Sequence, residues 1–143
     1  MRLAQILEAK GAEVVTTRPD TTIAQAVALL VDHNIGAVVV VEEEGPVGIL
    51  SERDLLRFLA GGPPDLVGTR VSELMTAGMV TGTPYDRVSR AMTIMTEQRI
   101  RHLPILDAGR LVGIVSIGDL VNALRKAFEE ENVHLKAYIS TAG

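Results

Sequence analysis

Hydrophobic and polar residues follow two different periods along the first half of the chain, and each period predicts one type of element. Apolar residues recur at helical spacing from Ile23 to Leu30, which predicts a helix over residues 22–33. Residues 37–41 form an apolar run, mostly of valine, without alternation, which indicates a strand covered on both faces. A second strand is expected over residues 46–50, and Ser51 then begins a helix that runs to about Ala60.

Polar residues and glycines mark the ends of these elements. A short helix is expected over residues 3–10, because Gly11 stands where a left-handed helix cap is common. Thr22 and Gln25 have the spacing of a capping box, in which each side chain satisfies a backbone N–H group at a helix start. Between the short helix and Thr22, residues 14–17 predict a short extended segment.

The whole pattern occurs twice in the chain. Pro19 is matched by Pro84 and Asp54 by Asp119, at a constant offset of 65 residues. Such a repeat is too long for a solenoid unit and has only two copies, so we interpret it as one small fold, duplicated and packed against itself. Two halves packed in this way create two pseudo-equivalent clefts between them. Residues 61–65, rich in glycine and proline, are the expected linker.

The second copy predicts the same elements at the same intervals. A short helix, a strand, a long helix, two further strands and a last helix are expected over residues 71–75, 79–82, 86–99, 102–106, 111–115 and from about Ile117 onward. Arg87 stands where Thr22 caps the first long helix, so Asp86 is the expected cap of the second. Each half therefore has the order strand, helix, strand, strand, helix, which predicts an α/β sandwich.

Composition narrows the function classes. The chain has 143 residues and a net charge of −4, and a negative charge argues against a nucleic-acid binder, which needs cations to neutralise phosphates. No apolar run reaches the about 20 residues of a membrane span, and no signal-like segment begins the sequence, so a cytoplasmic protein is expected. The absence of cysteine excludes disulfides and thiolate metal sites.

The first long helix of each half carries more apolar surface than one packed face needs. The excess lies at residues 26–31 in the first half and 92–95 in the second. We interpret it as the surface of a homodimer, although the other half of the same chain could fill it equally.

The residues that point to chemistry lie where the last strand of each half meets its last helix. Ser51 and Asp54 occupy this corner in the first half, and Ser116 and Asp119 occupy it in the second. A serine at a helix start lies beside N–H groups that favour a phosphate, and an aspartate one turn later can accept hydrogen bonds from the two hydroxyls of a ribose. The alternative is that each pair is only a capping box, since duplication copies caps as readily as binding sites.

These motifs, in order and doubled, resemble a known family, the tandem cystathionine-β-synthase-type domains called a CBS pair or Bateman module. The resemblance covers residues 6–125, and its main motifs are Gly48-Ile49-Leu50-Ser51-Glu52-Arg53-Asp54, Gly113-Ile114-Val115-Ser116-Ile117-Gly118-Asp119 and Ile100-Arg101-His102-Leu103-Pro104. It implies an α/β fold (an α+β sandwich) of two pseudo-symmetric β-α-β-β-α repeats packed sheet to sheet. The repeats are expected at residues 6–62 and 71–128, followed by a C-terminal helical tail at 129–143.

The resemblance also implies a regulatory ligand, an adenine nucleotide such as AMP, ADP, ATP, NAD(H) or S-adenosylmethionine, bound in one or both clefts between the repeats. By position, Asp54 and Asp119 would hold the ribose, and Ser51 and Ser116 would lie near the first phosphate. The remaining implied contacts are Ala12, Thr17, Gly36, Ala37, Arg53, Ala77, Arg101 and His102. In the family, the corner of one half commonly faces the middle strand of the other. Asp119 is therefore expected near residues 36–37, and Asp54 near residues 101–102.

The second corner departs from the first. It has Ile117 and Gly118 where the first has Glu52 and Arg53, so the two clefts are not expected to bind equally. His102 is either a ligand contact or a half-buried strand residue. No nucleophile lies at a useful spacing from a base, and three scattered histidines do not make a metal site, so neither catalytic nor metal-binding residues are predicted.

The sequence therefore predicts a sensor rather than an enzyme. Binding of the nucleotide would change the geometry of a homodimer or the affinity for a regulated protein, whose identity the sequence does not indicate. The alternative is a ligand-free module for dimerisation or protein interaction.

Overall fold

The computed structural model of the chain describes residues 1–11 and 13–142, with side chains described through residue 133 and at residue 135. The first half contains α1, β1, α2, β2, β3 and α3, at Leu3–Lys10, Thr16–Thr17, Ile23–His33, Ala37–Glu42, Gly45–Ser51 and Glu52–Ala60. The second half contains α4, α5, β4, β5 and α6, at Val71–Leu74, Val88–Gln98, His102–Asp107, Arg110–Ser116 and Ile117–Ala142. The predicted fold class, an α/β sandwich of two similar halves, is confirmed.

Each half is built on a hairpin of two largely covered strands. β2 pairs antiparallel with β3, and β4 pairs antiparallel with β5. Both hairpins shift register at the equivalent place, between Val40 and Val41 in the first half and between Ile105 and Leu106 in the second. β3 contacts β5, so the two sheets meet.

The first strand expected in the second half differs from the sequence prediction. The strand predicted at residues 79–82 is not formed, and Gly82 makes a single parallel bridge to Ile105. The reason is Pro104, which stands where the first half has Val39, a residue paired with β1. Because proline has no N–H group to donate, the parallel ladder cannot extend past this bridge.

The starts of the two long helices also differ. Thr22 Oγ1 accepts the N–H of Gln25, and the Gln25 side chain accepts the N–H of Thr22, so the predicted capping box is confirmed. α5 begins at Val88 without a side-chain cap, so the prediction that Asp86 caps it is wrong. The Asp86 carboxylate instead accepts the N–H of Thr83, at 2.9 Å, and stabilises the preceding turn.

The short helix that precedes each half packs on the opposite half. α1 buries Leu3 and Ile6 in the core of the second half, and α4 buries Val71 in the core of the first. Main-chain hydrogen bonds hold both helices in place, from the N–H of Leu3 to the carbonyl of Asp86 (2.9 Å) and from the N–H of Val71 to the carbonyl of Thr21 (2.8 Å). The halves therefore interlock, and each corner is covered by residues from the other half's leading segment.

α6, with 26 residues, is the longest helix in the described part of the chain, and it runs from the second corner to Ala142 within the expected C-terminal tail; residue 143 lies outside the described residues. Past Phe128 it carries three exposed glutamates, at residues 129–131. Within the described part of the chain, no helix combines the length and the apolar character needed to cross a bilayer.

Candidate functional site

The first corner places Ser51 and Asp54 at the start of α3. Ser51 ends β3 with an extended backbone (φ −113°, ψ 166°) and is the N-cap of the helix. Its Oγ accepts the N–H of Asp54 at 3.4 Å, and Asp54 Oδ2 accepts the N–H of Ser51 at 2.9 Å. The first helical turn brings these two residues together. The capping interpretation is therefore confirmed at this corner.

The second corner repeats this geometry at the start of α6. Ser116 Oγ accepts the N–H of Asp119 at 3.1 Å, and Asp119 Oδ2 accepts the N–H of Ser116 at 2.8 Å. Asp119 is half-buried, as is Asp54 in the first corner. Each corner thus holds a carboxylate at a fixed position beside the N-terminus of a helix.

Capping does not exhaust these carboxylates. Each uses Oδ2 for the cap, whereas an ionised carboxylate offers about four lone-pair positions. Asp54 Oδ1 accepts the hydroxyl of Thr76 at 3.3 Å, a long contact that a ligand hydroxyl can replace. A corner can therefore cap its helix and still accept hydrogen bonds from a diol, so the two interpretations of the sequence are compatible.

A lysine that the sequence analysis did not select lies over the second corner. Lys10 Nζ donates to Asp119 Oδ2 and to the carbonyl oxygen of Ile114, both at 2.8 Å. Lys10 ends α1, the helix that packs on the second half. The repeat offset matches Lys10 with Met75, so the duplication gave no signal for it. The contact depends on which half α1 packs against, which local sequence does not indicate.

The surroundings of Asp119 stabilise its ionised form. Burial alone would raise the pKa of this carboxyl group, but hydrogen bonds from Lys10 and from the Ser116 backbone, with the positive charge of Lys10, outweigh burial and lower the pKa below its ordinary value. The side chains of Lys10 and Asp119 are 38% and 26% exposed. Solvent therefore screens the ion pair, and its contribution to folding stability is small.

The two halves of the chain approach each other closely at Gly36 and His102. A Cβ atom on Gly36 would lie 3.1 Å from His102 Nε2 and 2.5 Å from Glu52 Oε1, so a side chain at this position would displace both neighbours. Burial lowers the pKa of His102, the charge of Glu52 raises it by less, and the charge of Lys10 lowers it again. The net pKa is below the ordinary value, so this environment favours the neutral imidazole.

The start of each middle strand lies beside the corner of its own half. The N–H of Glu52 donates to the carbonyl of Gly36 at 3.0 Å, and the N–H of Ile117 donates to the carbonyl of Arg101 at 2.9 Å. The expected facing of each corner toward the opposite middle strand stays a prediction. Contact between the halves is seen at Gly36, through His102.

Arg53 links the first corner to the second half. Its Nη1 donates at 2.9 Å to the carbonyl oxygen of Arg99, the left-handed residue (φ 54°) that ends α5. Arg53 is exposed, and so is Arg101 near the second corner. Gly118 replaces Arg53 in the second corner, where the cation on the carboxylate is Lys10. The cations near the two corners therefore come from different elements, Arg53 from α3 and Lys10 from α1.

The remaining predicted contacts differ widely in exposure. Thr17 in β1 and Ala37 in β2 are buried, at 6% and 4% exposure, so a ligand would meet mainly their backbone groups. Ala77 is exposed and follows Thr76, whose N–H and carbonyl both pair with Ile49. Ala12 lies outside the described residues. Among the described side chains, at residues 1–11, 13–133 and 135, no three acidic or histidine side chains are grouped as a metal site would need.

Comparison with known families matches one domain type to both halves of the chain. The family described as CBS domain matches residues 10–61 and 71–126. The chain belongs to the CBS domain family. Because the match occurs twice in tandem, the chain is a CBS pair, and the resemblance found in the sequence is confirmed.

Relatives of this CBS pair include proteins of different length. The mitochondrial CBS domain-containing protein CBSX3 of Arabidopsis thaliana is 41% identical over 125 residues, which are 84% of this chain and 61% of that protein. The chain therefore spans less than two thirds of this relative. A solved CBS-domain protein of Agrobacterium tumefaciens is 41% identical with a TM-score of 0.82, and the match covers 86% of this chain and 98% of that one.

Two similar CBS structures contain adenosine compounds. The CBS domain protein of Pyrobaculum aerophilum, complexed with AMP, is 28% identical with a TM-score of 0.75, and the match covers 83% of this chain and 89% of that one. The CBS domain pair of protein MJ0100, in complex with 5′-methylthioadenosine and S-adenosyl-L-methionine, is 25% identical with a TM-score of 0.78, covering 89% of this chain and 98% of that one.

Proposed function

We propose that this CBS pair is a regulatory module that binds an adenine nucleotide in the clefts between its repeats. The observation that carries the proposal is the corner itself, found twice: a half-buried carboxylate, fixed by its own cap, beside a serine hydroxyl at a helix N-terminus. A carboxylate suits a ribose diol, and a helix N-terminus suits a phosphate. The complexes of two relatives with AMP and with adenosyl compounds support the adenosine part of the ligand.

Each residue of the corner has a role in this proposal. Asp54 and Asp119 accept hydrogen bonds from the ribose hydroxyls, and Ser51 and Ser116 lie beside the first phosphate. Arg53, exposed at the first corner, pairs with phosphate oxygens, because its planar guanidinium presents two parallel donors.

The module signals by a difference in affinity between two arrangements. A nucleotide that contacts both halves binds one arrangement of the halves, or of a dimer, more tightly than another, and it shifts the population toward that arrangement. A regulated protein that recognises this arrangement would then respond to nucleotide concentration.

The proposed module is a homodimer that associates through α3 and α6. In the apolar excess of α2 and α5, Ala26, Leu30 and Met95 are buried, and the exposed Val31 (72%) has the polar Thr96 at its repeat position. Exposed apolar side chains occur instead at equivalent positions of α3 and α6, namely Leu56 (66%), Leu59 (50%), Val121 (52%) and Leu124 (41%). Exposed apolar patches of this kind mark interaction surfaces. The same observation favours the second candidate function, a dimerisation module that binds no ligand.

Thermal unfolding with added nucleotide tests the proposal. With AMP, ATP, NADH or S-adenosylmethionine at millimolar concentration, at least one should raise the Tm, by an amount that grows as RT ln(1 + [L]/Kd). No shift with any of them would contradict nucleotide binding. Light scattering separates the two candidates, since a dimer with the same mass and shape at every nucleotide concentration, combined with no Tm shift, would favour the ligand-free module.

A further inference from the structure

The contact between Lys10 and Asp119 fills a position that a ribose would need. Asp119 Oδ2 accepts two hydrogen bonds, from the N–H of Ser116 and from Lys10 Nζ, both at 2.8 Å. An oxygen of a carboxylate has two lone pairs, so both acceptor positions of Oδ2 are used. The amine is held at a second point by the carbonyl of Ile114, also at 2.8 Å, and its position is therefore well defined.

The equivalent place in the first cleft holds neutral donors. Asp54 Oδ2 accepts the N–H and the hydroxyl of Ser51, at 2.9 and 3.1 Å, and Oδ1 accepts the hydroxyl of Thr76 at 3.3 Å. Met75, which corresponds to Lys10 in the repeat, packs its sulfur against Gly48, 2.8 Å from where a Cβ would lie. Hydroxyl groups can rotate to donate elsewhere, whereas an ammonium group loses a charge-assisted hydrogen bond when it is displaced.

We propose that Lys10 competes with the ribose for Asp119, so that the first cleft fills with nucleotide at a lower concentration than the second. This inference rests on the proposed nucleotide function and adds an order of filling to it. A diol that uses both carboxylate oxygens meets hydroxyl donors at Asp54 but must displace an ammonium group at Asp119. Lys10 also lowers the pKa of Asp119 against the effect of burial, which agrees with the contact between the two side chains.

The packing of α1 on the second half keeps Lys10 in this position. α1 is fixed on the second half by the buried side chains of Leu3 and Ile6 and by the hydrogen bond from Ala4 to Pro84, at 2.9 Å. The amine therefore lies over Asp119 without help from a ligand. Competition of this kind acts on the ligand-free protein, and it makes the two clefts respond over two concentration ranges.

Adenosine is the appropriate probe, because it has the diol but no phosphate that could pair with the released amine. Titration calorimetry would compare two variants, D54A and D54A/K10M. Both lack the carboxylate of the first cleft, so the binding that is measured is that of the second cleft. The double variant should bind adenosine at least about fivefold more tightly, since a charge-assisted hydrogen bond no longer opposes the diol. The matched control is D54A/R90M, which removes an exposed cation of α5 and should bind as D54A does.

The salt dependence of the adenosine affinity is a second measurement, and a general change in packing would not alter it. Raising the salt from about 0.05 to about 0.5 M weakens an exposed ion pair, so adenosine should bind D54A more tightly at high salt and D54A/K10M unchanged. Equal or weaker adenosine binding by D54A/K10M than by D54A, with both variants folded by circular dichroism, would overturn the inference. Absence of AMP and adenosine binding in the parent protein would overturn the proposed function itself, and the competition with it.

Discussion

The two clefts of this CBS pair contain the same corner but differ in what the opposite half places over it. Ser51 and Asp54 form the same two capping hydrogen bonds as Ser116 and Asp119. Over Asp54 lies the hydroxyl of Thr76, whereas over Asp119 lies the ammonium group of Lys10. Duplication preserved the corner, because helix capping constrains it in both halves. The segments around α1 and α4, which pack on the opposite half, place different groups over the two carboxylates.

A second difference between the two corners also favours nucleotide binding in the first cleft. The first corner has Arg53, which reaches the carbonyl of Arg99 in the other half, and the second has Gly118. A cation near Asp54 is thus available for a phosphate, while the cation near Asp119 is engaged by the carboxylate itself. The comparison predicts clefts of unequal affinity, and the following experiments test its separate parts.

Removal of the carboxylates should have the largest effect. D54A should weaken nucleotide binding in the first cleft by about 10- to 100-fold, because hydrogen bonds to a charged group contribute about 1.5–3 kcal/mol. D119A should cost the second cleft less, since Lys10 already engages that carboxylate. Calorimetry with AMP measures both, and D32A, on the exposed side of α2, is the control. Parent-like binding by both corner variants would show that the ligand lies elsewhere.

Substitution of Gly36 should destabilise the contact between the two halves. G36V places a side chain against His102 and Glu52, and overpacking of this kind costs about 1–3 kcal/mol of unfolding free energy. Urea denaturation measures the loss. G61A is the matched control, because a Cβ at Gly61 meets nothing closer than 3.4 Å. If G36V is as stable as G61A, the halves do not meet at this point as described.

His102 should make stability depend on pH. Its folded-state pKa is lowered by burial, so the unfolded state binds the proton more readily, and stability present above about pH 6.5 is lost as pH falls toward the folded value. The slope cannot exceed about 1.4 kcal/mol per pH unit. H102A introduces the residue type found at the equivalent position of the first half, Ala37. It should remove this dependence of the unfolding free energy on pH, measured by denaturation between about pH 7.5 and 5.5. The control H33A should retain the dependence.

Removal of Lys10 should have the smallest effect on stability. The folded-state pKa of Asp119 is lowered, so its contribution is present above the unfolded value of about 3.9 and is lost as pH falls through the folded value. K10M should raise this pKa and reduce stability at pH 7 by less than about 1 kcal/mol, since the pair is partly exposed. Carbon NMR titration of the Asp119 carboxyl group gives the pKa directly, and an unchanged value in K10M would contradict the contact.

The fold and the two corners could be predicted from the repeat, because local sequence determines both. Apolar periodicity located the helices, and the offset between Asp54 and Asp119 identified the twin corners and their caps. The incorrect predictions came from single residues with a specific chemistry. Pro104 interrupts the strand ladder that the first copy suggested, and Asp86 caps the turn at Thr83 rather than α5.

The content of each cleft could not be predicted from the repeat. The four-residue α4 and the eight-residue α1 carry no sequence signal for the half on which they pack. Lys10 therefore appeared to be an ordinary helix-ending lysine, and its contact with Asp119 required the tertiary structure. The exposed apolar positions of α3 and α6 were missed for a similar reason, since periodicity alone does not show which helix face the chain itself covers.

A structure of the protein crystallised with AMP tests the central claim most directly. The account predicts AMP in the first cleft, with its ribose hydroxyls within hydrogen-bond distance of Asp54 and its phosphate at the start of α3 beside Ser51. Occupancy of the second cleft should be lower, or should be accompanied by movement of Lys10 away from Asp119. AMP bound away from both corners, or both clefts empty at saturating AMP, would contradict the account.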